Sequence, residues 1–172
     1  MSQTIRILIV VGVLVLVAVG LVIFGTVVQS QMALVPLSTP QPGMIHLYVD
    51  GNFVANLSVT DTLREKLPAG SFVDKEQSKT QSGYWLRDVI RLYVKETSLS
   101  ATSQVTMTGV RQGTEKKSAT ITWAETLDPN NNVLFSPSND GTSVKIAASM
   151  DKLSTRNDWI QGLTQIDVKT KP

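Results

Sequence analysis

Few residues of this chain have types that support chemistry. It contains one histidine, His46, and no cysteine. Zinc and copper sites are built mainly from histidine and cysteine, so a site for either metal would need an unusual, carboxylate-rich set of ligands. A Ser-His-Asp arrangement would have to use His46, and neither a G-x-S-x-G motif nor a glycine-rich phosphate loop occurs. We therefore expect no catalytic, cofactor or metal site, and a protein that is not an enzyme.

The spacing of Asp128, Asn130 and Asn132 matches that of the first three ligands of an EF-hand calcium loop. That loop needs glycine at its sixth position and glutamate at its twelfth, where this chain has Val133 and Asn139. These residues are therefore expected to form an asparagine-rich turn.

Three tryptophans and one arginine remain as candidates for a pocket or an interface: Trp85, Arg87, Trp123 and Trp159. Tryptophan and arginine are enriched at binding surfaces because they combine a large contact area with polar tips. Tryptophans that are far apart in sequence also occur in the cores of small domains. A purely structural role is therefore the second interpretation of these residues.

Location is indicated by residues 7–28, which are twenty-two consecutive uncharged residues, mostly Val, Leu and Ile. As a helix this stretch would span about 33 Å, close to the roughly 30 Å of a bilayer's hydrocarbon core. The apolar region of a signal peptide runs to about 15 residues, so we expect a retained transmembrane helix with the lipid bilayer as a partner. Arg6 precedes the stretch and the next charge is Asp50. This bias predicts a cell-membrane protein with a cytoplasmic N-terminus and an extracytoplasmic remainder.

Three regions follow from this pattern: a cytoplasmic stub with the membrane span at 1–28, a tether at 29–43 and a domain at 44–172. The tether contains three prolines among polar residues, which favours an extended conformation. The domain has 15 Lys and Arg against 14 Asp and Glu, a balance that does not favour nucleic acid as a partner. Without cysteine, the core must hold the fold together without disulfides.

A hairpin is predicted to open the domain. Residues 44–50 alternate between apolar and polar side chains, the motif Asp50-Gly51-Asn52 favours a tight turn, and residues 53–57 can pair back. A short helix is then expected to end at Pro68. Residues 71–82 become very polar and are expected to form an edge strand or a loop.

The strongest helical pattern of the domain covers residues 83–96, where Leu86, Val89, Ile90 and Tyr93 recur at helical spacing. The downstream segments are expected to form strands at 105–110, 119–123, 133–135, 143–148 and 163–168, with one helical turn at 123–127. The predicted fold class is therefore α+β, with one N-terminal transmembrane helix followed by a small, mostly-β domain with two or three short helices.

The order of these elements is similar to that of a sulfite-oxidase-like molybdopterin-binding domain, over roughly residues 44–170. The resemblance is carried by Val49-Asp50-Gly51, by Gly83-Tyr84-Trp85-Leu86-Arg87-Asp88 and by Ile121-Thr122-Trp123. The closing segment, Trp159-Ile160 followed by residues 163–168, also matches. The resemblance implies one domain with a vestige of a pterin pocket.

The chain departs from that family where the chemistry would take place. In the family, a cysteine just before the Gly-x-x-Leu helix ligates molybdenum, whereas residues 72–82 contain no cysteine. The histidines and the arginine cluster that would hold the pterin phosphate are also missing. The resemblance therefore implies a degenerate domain without molybdenum chemistry, because function depends on the site and not on the fold.

Two main hypotheses of function follow. The first is a non-catalytic, single-pass accessory subunit whose outer domain packs on other subunits of a larger membrane protein complex, with a respiratory or photosynthetic electron-transfer complex as a candidate host. The alternative is a membrane-anchored binding module with a vestigial pterin-like or small-ligand pocket, for which Trp85, Trp123 and Arg87 are lining candidates. An enzyme of carboxylate type is the third and weakest hypothesis.

Overall fold

A computed structural model describes residues 39–58, 61–111, 115–138 and 142–171 of the 172-residue chain. Within these residues, nine strands form two sheets, together with three short α-helices and three 3-10 helices. The membrane span predicted at 7–28 lies outside the described residues. Among the residues that are described, no helix has the length and apolar character needed to cross a membrane.

The helices and strands have the following bounds. The strands are β1 (Ile45–Val49), β2 (Asn52–Leu57), β3 (Ala69–Asp74), β4 (Lys79–Trp85), β5 (Gln104–Arg111), β6 (Glu115–Thr122), β7 (Leu134–Pro137), β8 (Val144–Ala147) and β9 (Leu163–Lys169). The α-helices are α1 (Asp61–Lys66), α2 (Leu86–Arg91) and α3 (Trp123–Leu127). The 3-10 helices are Glu96–Ser98, Pro129–Asn131 and Asp151–Leu153.

The fold class predicted from the sequence is wrong, because the described part of the chain is a mostly-β domain with three short helices and without a membrane-spanning helix. The helix predicted at 83–96 is also shorter than expected. Its first three residues complete β4, and α2 covers only Leu86–Arg91. The strand continues because Tyr84 pairs with Ala69 on one side and Phe135 on the other. Pairing with strands on both sides outweighs the local helical pattern.

The first sheet has five strands in the order β2-β1-β9-β5-β6. Its β1–β2 hairpin confirms the predicted turn, since Asp50 and Gly51 have φ angles of 49° and 80°, the left-handed values that a two-residue turn between antiparallel strands requires. The predicted closing strand is also confirmed as β9. It lies inside the sheet, parallel to β1 and antiparallel to β5.

The second sheet has four strands in the order β3-β4-β7-β8. Residues 71–82, predicted as an edge strand or a loop, form a hairpin in which β3 is at the edge and β4 is paired on both sides. The two backbones of β4 and β7 approach closely at Gly83, where an added Cβ would collide with the carbonyl oxygen of Phe135. Glycine is therefore needed at this crossing.

Buried side chains of both sheets belong to a single hydrophobic cluster. α2 contributes Leu86, Val89 and Ile90, whose spacing places them on one face of the helix. α3 begins with a capping box, in which the Thr122 hydroxyl accepts a hydrogen bond from the Glu125 amide and the Glu125 carboxylate accepts one from the Thr122 amide. The capping box confirms the helical turn that was predicted at 123–127 and positions Trp123.

Candidate functional site

Two of the predicted site residues lie where β4 passes into α2. The Trp85 ring packs over Gly70 of β3, where an added Cβ would lie 2.5 Å from a ring carbon. The guanidinium carbon of Arg87 lies 5.3 Å from the centroid of the Trp85 ring, within the range of a cation–π contact. Arg87 Nη1 also donates a hydrogen bond to the Leu127 carbonyl oxygen at 3.4 Å. Arg87 therefore links β4 and α2 to the end of α3.

A second arginine–tryptophan pair lies one helical turn further along α2. The guanidinium carbon of Arg91 is 5.9 Å from the centroid of the Trp123 ring, and Trp123 is buried. The Asp88 carboxylate lies between the two arginines, 3.8 Å from Arg87 Nε and 3.4 Å from Arg91 Nη1. We call Trp85, Arg87, Asp88, Arg91 and Trp123 the α2 cluster.

The cations of the α2 cluster are neutralised. Arg91 Nη2 lies 2.6 Å from Glu96 Oε1, in addition to its contact with Asp88. The hydrogen bond that Arg91 donates to Glu96, with a smaller contribution from Asp88, raises the pKa of Arg91. Each arginine of the cluster thus has a carboxylate within 4 Å. The cluster is therefore an ion-paired support for the packing of α2 against β4 and α3.

Trp159 lies apart from the α2 cluster. It is buried, and its indole Nε1 donates to the carbonyl oxygens of Ala148 at 3.1 Å and Leu153 at 3.0 Å. Its ring packs edge-on against Phe72, with 6.4 Å between the ring centroids. The structure thus brings together three of the four predicted site residues and places Trp159 elsewhere.

A surface cavity of about 310 Å³ borders Trp159. Its polar lining comes from the start of β4, from β8 and from the segment after the last 3-10 helix. We call the set Lys79, Gln81, Lys145, Arg156 and Trp159 the cationic cleft. Lys145 lies in the cleft, with its Nζ 5.3 Å from the centroid of the Trp159 ring and 2.8 Å from Gln81 Oε1.

The cations of the cationic cleft have no carboxylate in ion-pair contact within the described residues. Burial lowers the pKa of Lys145, the charge of Arg156 lowers it further, and the charge of Asp74 acts in the opposite direction. Within the described residues, no ion pair involves Lys79, Lys145 or Arg156. The contact of Arg156 with a carboxylate is through its backbone, whose N–H donates to Glu76 Oε2 at 3.1 Å. This bond fixes the segment at the cleft and leaves the guanidinium to the solvent.

Trp159 is the one residue of this cleft that was predicted as a pocket candidate, and no sequence pattern marked its cations. Lys79, Lys145 and Arg156 are far apart in the chain and do not form a charged run. Lys79 of β4 and Lys145 of β8 line one cavity because only β7 separates these two strands in the second sheet. The order of strands in a sheet is a long-range property, so no local pattern could have marked these residues.

The remaining candidates have structural roles. The His46 ring donates from Nε2 to the Gln41 carbonyl oxygen at 2.9 Å and packs edge-on against Tyr48 and Phe53. The asparagine-rich turn is confirmed, since Asp128 Oδ1 accepts a hydrogen bond from the Asn130 amide at 2.9 Å. Among the side chains described, no group of three or more His, Cys, Asp or Glu is arranged to hold a metal ion.

Comparison with known proteins identifies no relative: the chain matches no protein-family model and no curated protein. The resemblance to sulfite-oxidase-like molybdopterin-binding domains therefore stays a prediction. Function has to be argued from the α2 cluster, the cationic cleft and the apolar stretch at 7–28.

Proposed function

We propose that this chain is a non-catalytic accessory subunit that is anchored in the cell membrane and packs its domain on a larger membrane protein complex. The uncharged stretch at 7–28 supports the anchor. The position of Arg6 before that stretch supports a cytoplasmic N-terminus and an extracytoplasmic domain. A respiratory or photosynthetic electron-transfer complex is the host that we would test first.

The observation that carries this proposal is the surface around the end of α2. Leu92 and Tyr93 follow the helix directly and are 38% and 37% exposed, although both are large and apolar in character. The partly exposed side chains of Trp85 and Arg87 belong to the same region. We call Trp85, Arg87, Arg91, Leu92 and Tyr93 the α2 face. Tryptophan, tyrosine and arginine are the residue types that dominate the energetics of protein interfaces.

The α2 face is held in place before any partner binds. The contacts of Arg91 with Asp88 and Glu96 fix the last turn of the helix, and the Trp85 ring is seated on Gly70. Burial also raises the pKa of Tyr93 above its usual value of 10.0, so its hydroxyl stays neutral further into the alkaline range. A preorganised surface loses little conformational entropy on association, so more of the contact energy contributes to affinity.

The first test is the mass of the native assembly. Membranes from the cell of origin are dissolved in a mild detergent and separated on a native gel, and the band that contains this chain is identified by mass spectrometry. We expect a large band with a defined set of companions. A band near the 18.7 kDa of the chain plus its detergent would contradict the proposal.

A matched pair of variants tests the position of the interface. Leu92→Asp places a charge on the α2 face and is expected to remove the large band, because a buried unpaired charge is costly. Val73→Asp is the control, since Val73 is 59% exposed on the edge strand β3, outside the α2 face. Loss of the band with Val73→Asp and not with Leu92→Asp would contradict the placement of the interface on the α2 face.

A further inference from the structure

The cationic cleft differs from the α2 cluster in that, within the described residues, none of its cations forms an ion pair with a carboxylate. Arg87 and Arg91 contact Asp88, Arg91 also contacts Glu96, and Lys152 pairs with Glu125 at 2.9 Å. The three cations of the cleft take part in no such pair. Like charges that face one cavity repel each other, and the repulsion increases where water is partly excluded.

The position of Lys145 in the cleft is fixed by neutral groups. The Trp159 ring on one side and the Gln81 amide oxygen on the other hold the ammonium without neutralising it. The tryptophan is itself fixed by hydrogen bonds to two backbone carbonyls. The ammonium is thus held at one place in the cleft, and its donors that do not bind Gln81 remain available to a ligand.

Arg156 and Lys79 also line the cleft. Arg156 is exposed, and its backbone is tied to Glu76 on the turn between β3 and β4. Lys79 begins β4, next to Thr80, which also lines the cavity. A planar guanidinium and two ammonium groups provide both forked and single-point donors for oxygen atoms.

From this geometry we propose that the cationic cleft binds a small, multiply charged oxyanion, with Lys145 and Arg156 as its main ligands. Two features suit such a ligand: the cavity volume of about 310 Å³ lies within the range of small-molecule sites, and no acidic side chain is among the described residues that line it. A bound oxyanion would provide the negative charge that the carboxylates of Asp88 and Glu96 provide at the α2 cluster. The site is independent of the proposed membrane assembly and would make the chain a binding module as well.

The test is a calorimetric titration of the full-length protein in detergent with three probes, inorganic phosphate, sulfate and citrate, each against sodium chloride at equal ionic strength. We expect one ion to bind per chain for at least one probe, with no binding of chloride. Preference for phosphate or sulfate would identify a tetrahedral oxyanion as the ligand type, and preference for citrate would identify a polycarboxylate. Heat that depends only on ionic strength for all three probes would overturn the proposal.

Three variants separate the site from the general charge of the surface. Lys145→Gln and Arg156→Gln are each expected to weaken binding of the preferred probe by about tenfold or more. Lys152→Gln removes the same charge from an exposed lysine outside the cleft and is expected to change the affinity less than about twofold. Arg156 is exposed, so its variant keeps the fold even if Lys145→Gln does not. Equal affinities of Arg156→Gln and the unchanged protein would overturn the proposal.

Discussion

The α2 cluster and the cationic cleft are two versions of one contact, a cationic side chain over a tryptophan ring. The distances from cation to ring centroid are alike, at 5.3 and 5.9 Å in the α2 cluster and 5.3 Å in the cleft. The surroundings differ. Carboxylates neutralise both arginines of the α2 cluster, whereas Lys145 has only a neutral amide as its hydrogen-bond acceptor.

The difference shows that a cation–π contact alone does not reveal what a site is for. Where carboxylates complete the contact, the arginines tie one element of the fold to another, as Arg87 does between β4 and α3. Where no carboxylate is in contact, as at Lys145, the same contact positions a cation without neutralising its charge. We therefore assign a packing role to the α2 cluster and propose ligand binding for the cationic cleft.

The largest expected effect concerns Trp85 and Trp159, two of the three tryptophans that contact a cation. Trp159→Ala should lower the free energy of unfolding by about 3–5 kcal/mol, because it removes a buried ring and leaves two carbonyl oxygens without their donor. Trp85→Ala should cost only about 1–2 kcal/mol, because this ring is partly exposed. Urea unfolding followed by circular dichroism measures both. Equal losses would mean that the two tryptophans support the fold to the same degree.

Gly70→Ala should disrupt the packing of the α2 cluster without replacing any of its charged residues. The new methyl group would occupy the position of the Trp85 ring, so the ring and the Arg87 guanidinium above it must move. Overpacking of this kind typically costs about 1–3 kcal/mol. Ser71→Ala, at the exposed neighbour in β3, is the control and should stay within about 0.5 kcal/mol of the unchanged protein. If Gly70→Ala left the free energy of unfolding unchanged, the Trp85 ring would not be packed over Gly70 as described.

Removal of one cation should destabilise the fold at the α2 cluster but not at the cationic cleft. Arg91→Gln should lower the free energy of unfolding by about 0.5–1 kcal/mol, since it removes two partly exposed ion pairs, and the loss should shrink in high salt. Lys145→Gln should leave stability unchanged or raise it in the absence of a ligand, because it relieves repulsion from Arg156. Denaturant unfolding at low and high salt measures the pair. If Lys145→Gln lowered the free energy of unfolding more than Arg91→Gln did, the contrast between the two sites would be contradicted.

The smallest effect is a dependence of stability on alkaline pH. The pKa of Lys145 is lowered from its usual value of 10.5, so the folded chain releases this proton before the unfolded chain does. Stability should therefore rise as the pH passes from the lowered pKa towards 10.5, since the unfolded state binds more protons there. Lys145→Gln should abolish this rise in pH-dependent unfolding measurements.

Tyr93 should produce the opposite slope in the same experiment. Burial raises its pKa above the usual 10.0, so the unfolded chain loses this proton first, and stability should fall as the pH rises above about 10. Tyr93→Phe is the matched variant and should remove the fall without affecting the rise. A rise that survives in Lys145→Gln, or that disappears in Tyr93→Phe, would contradict the assignment of the two slopes.

The parts of the fold that could be predicted are those fixed by neighbours in sequence. The Asp50-Gly51 turn is local, because both residues adopt left-handed backbone angles that few other pairs tolerate. The single turn of α3 is local as well, because Thr122 and Glu125 cap it by themselves. Residues 83–85 could not be assigned correctly, since their helical spacing was overridden by pairing with two strands that lie far away in the chain.

The same reasoning applies to the candidate sites. Trp85 and Arg87 are two residues apart on one strand-to-helix junction, so their contact could be anticipated from sequence. The cationic cleft joins residues from β4, β8 and the segment after the last 3-10 helix. Its formation depends on the order β3-β4-β7-β8, which follows from the packing of the whole domain.

The position of β9 also determines when the domain can fold during synthesis. This strand follows all the other described strands in sequence, yet it lies between β1 and β5, so that His46 pairs with Gln165. Until β9 has left the ribosome, the β1–β2 and β5–β6 hairpins remain separate, and the edges of β1 and β5 lack their partner. Contacts of such large sequence separation form slowly, and unpaired edges promote association with other chains. A nascent chain stalled just before Leu163 should therefore be the most aggregation-prone species of this protein.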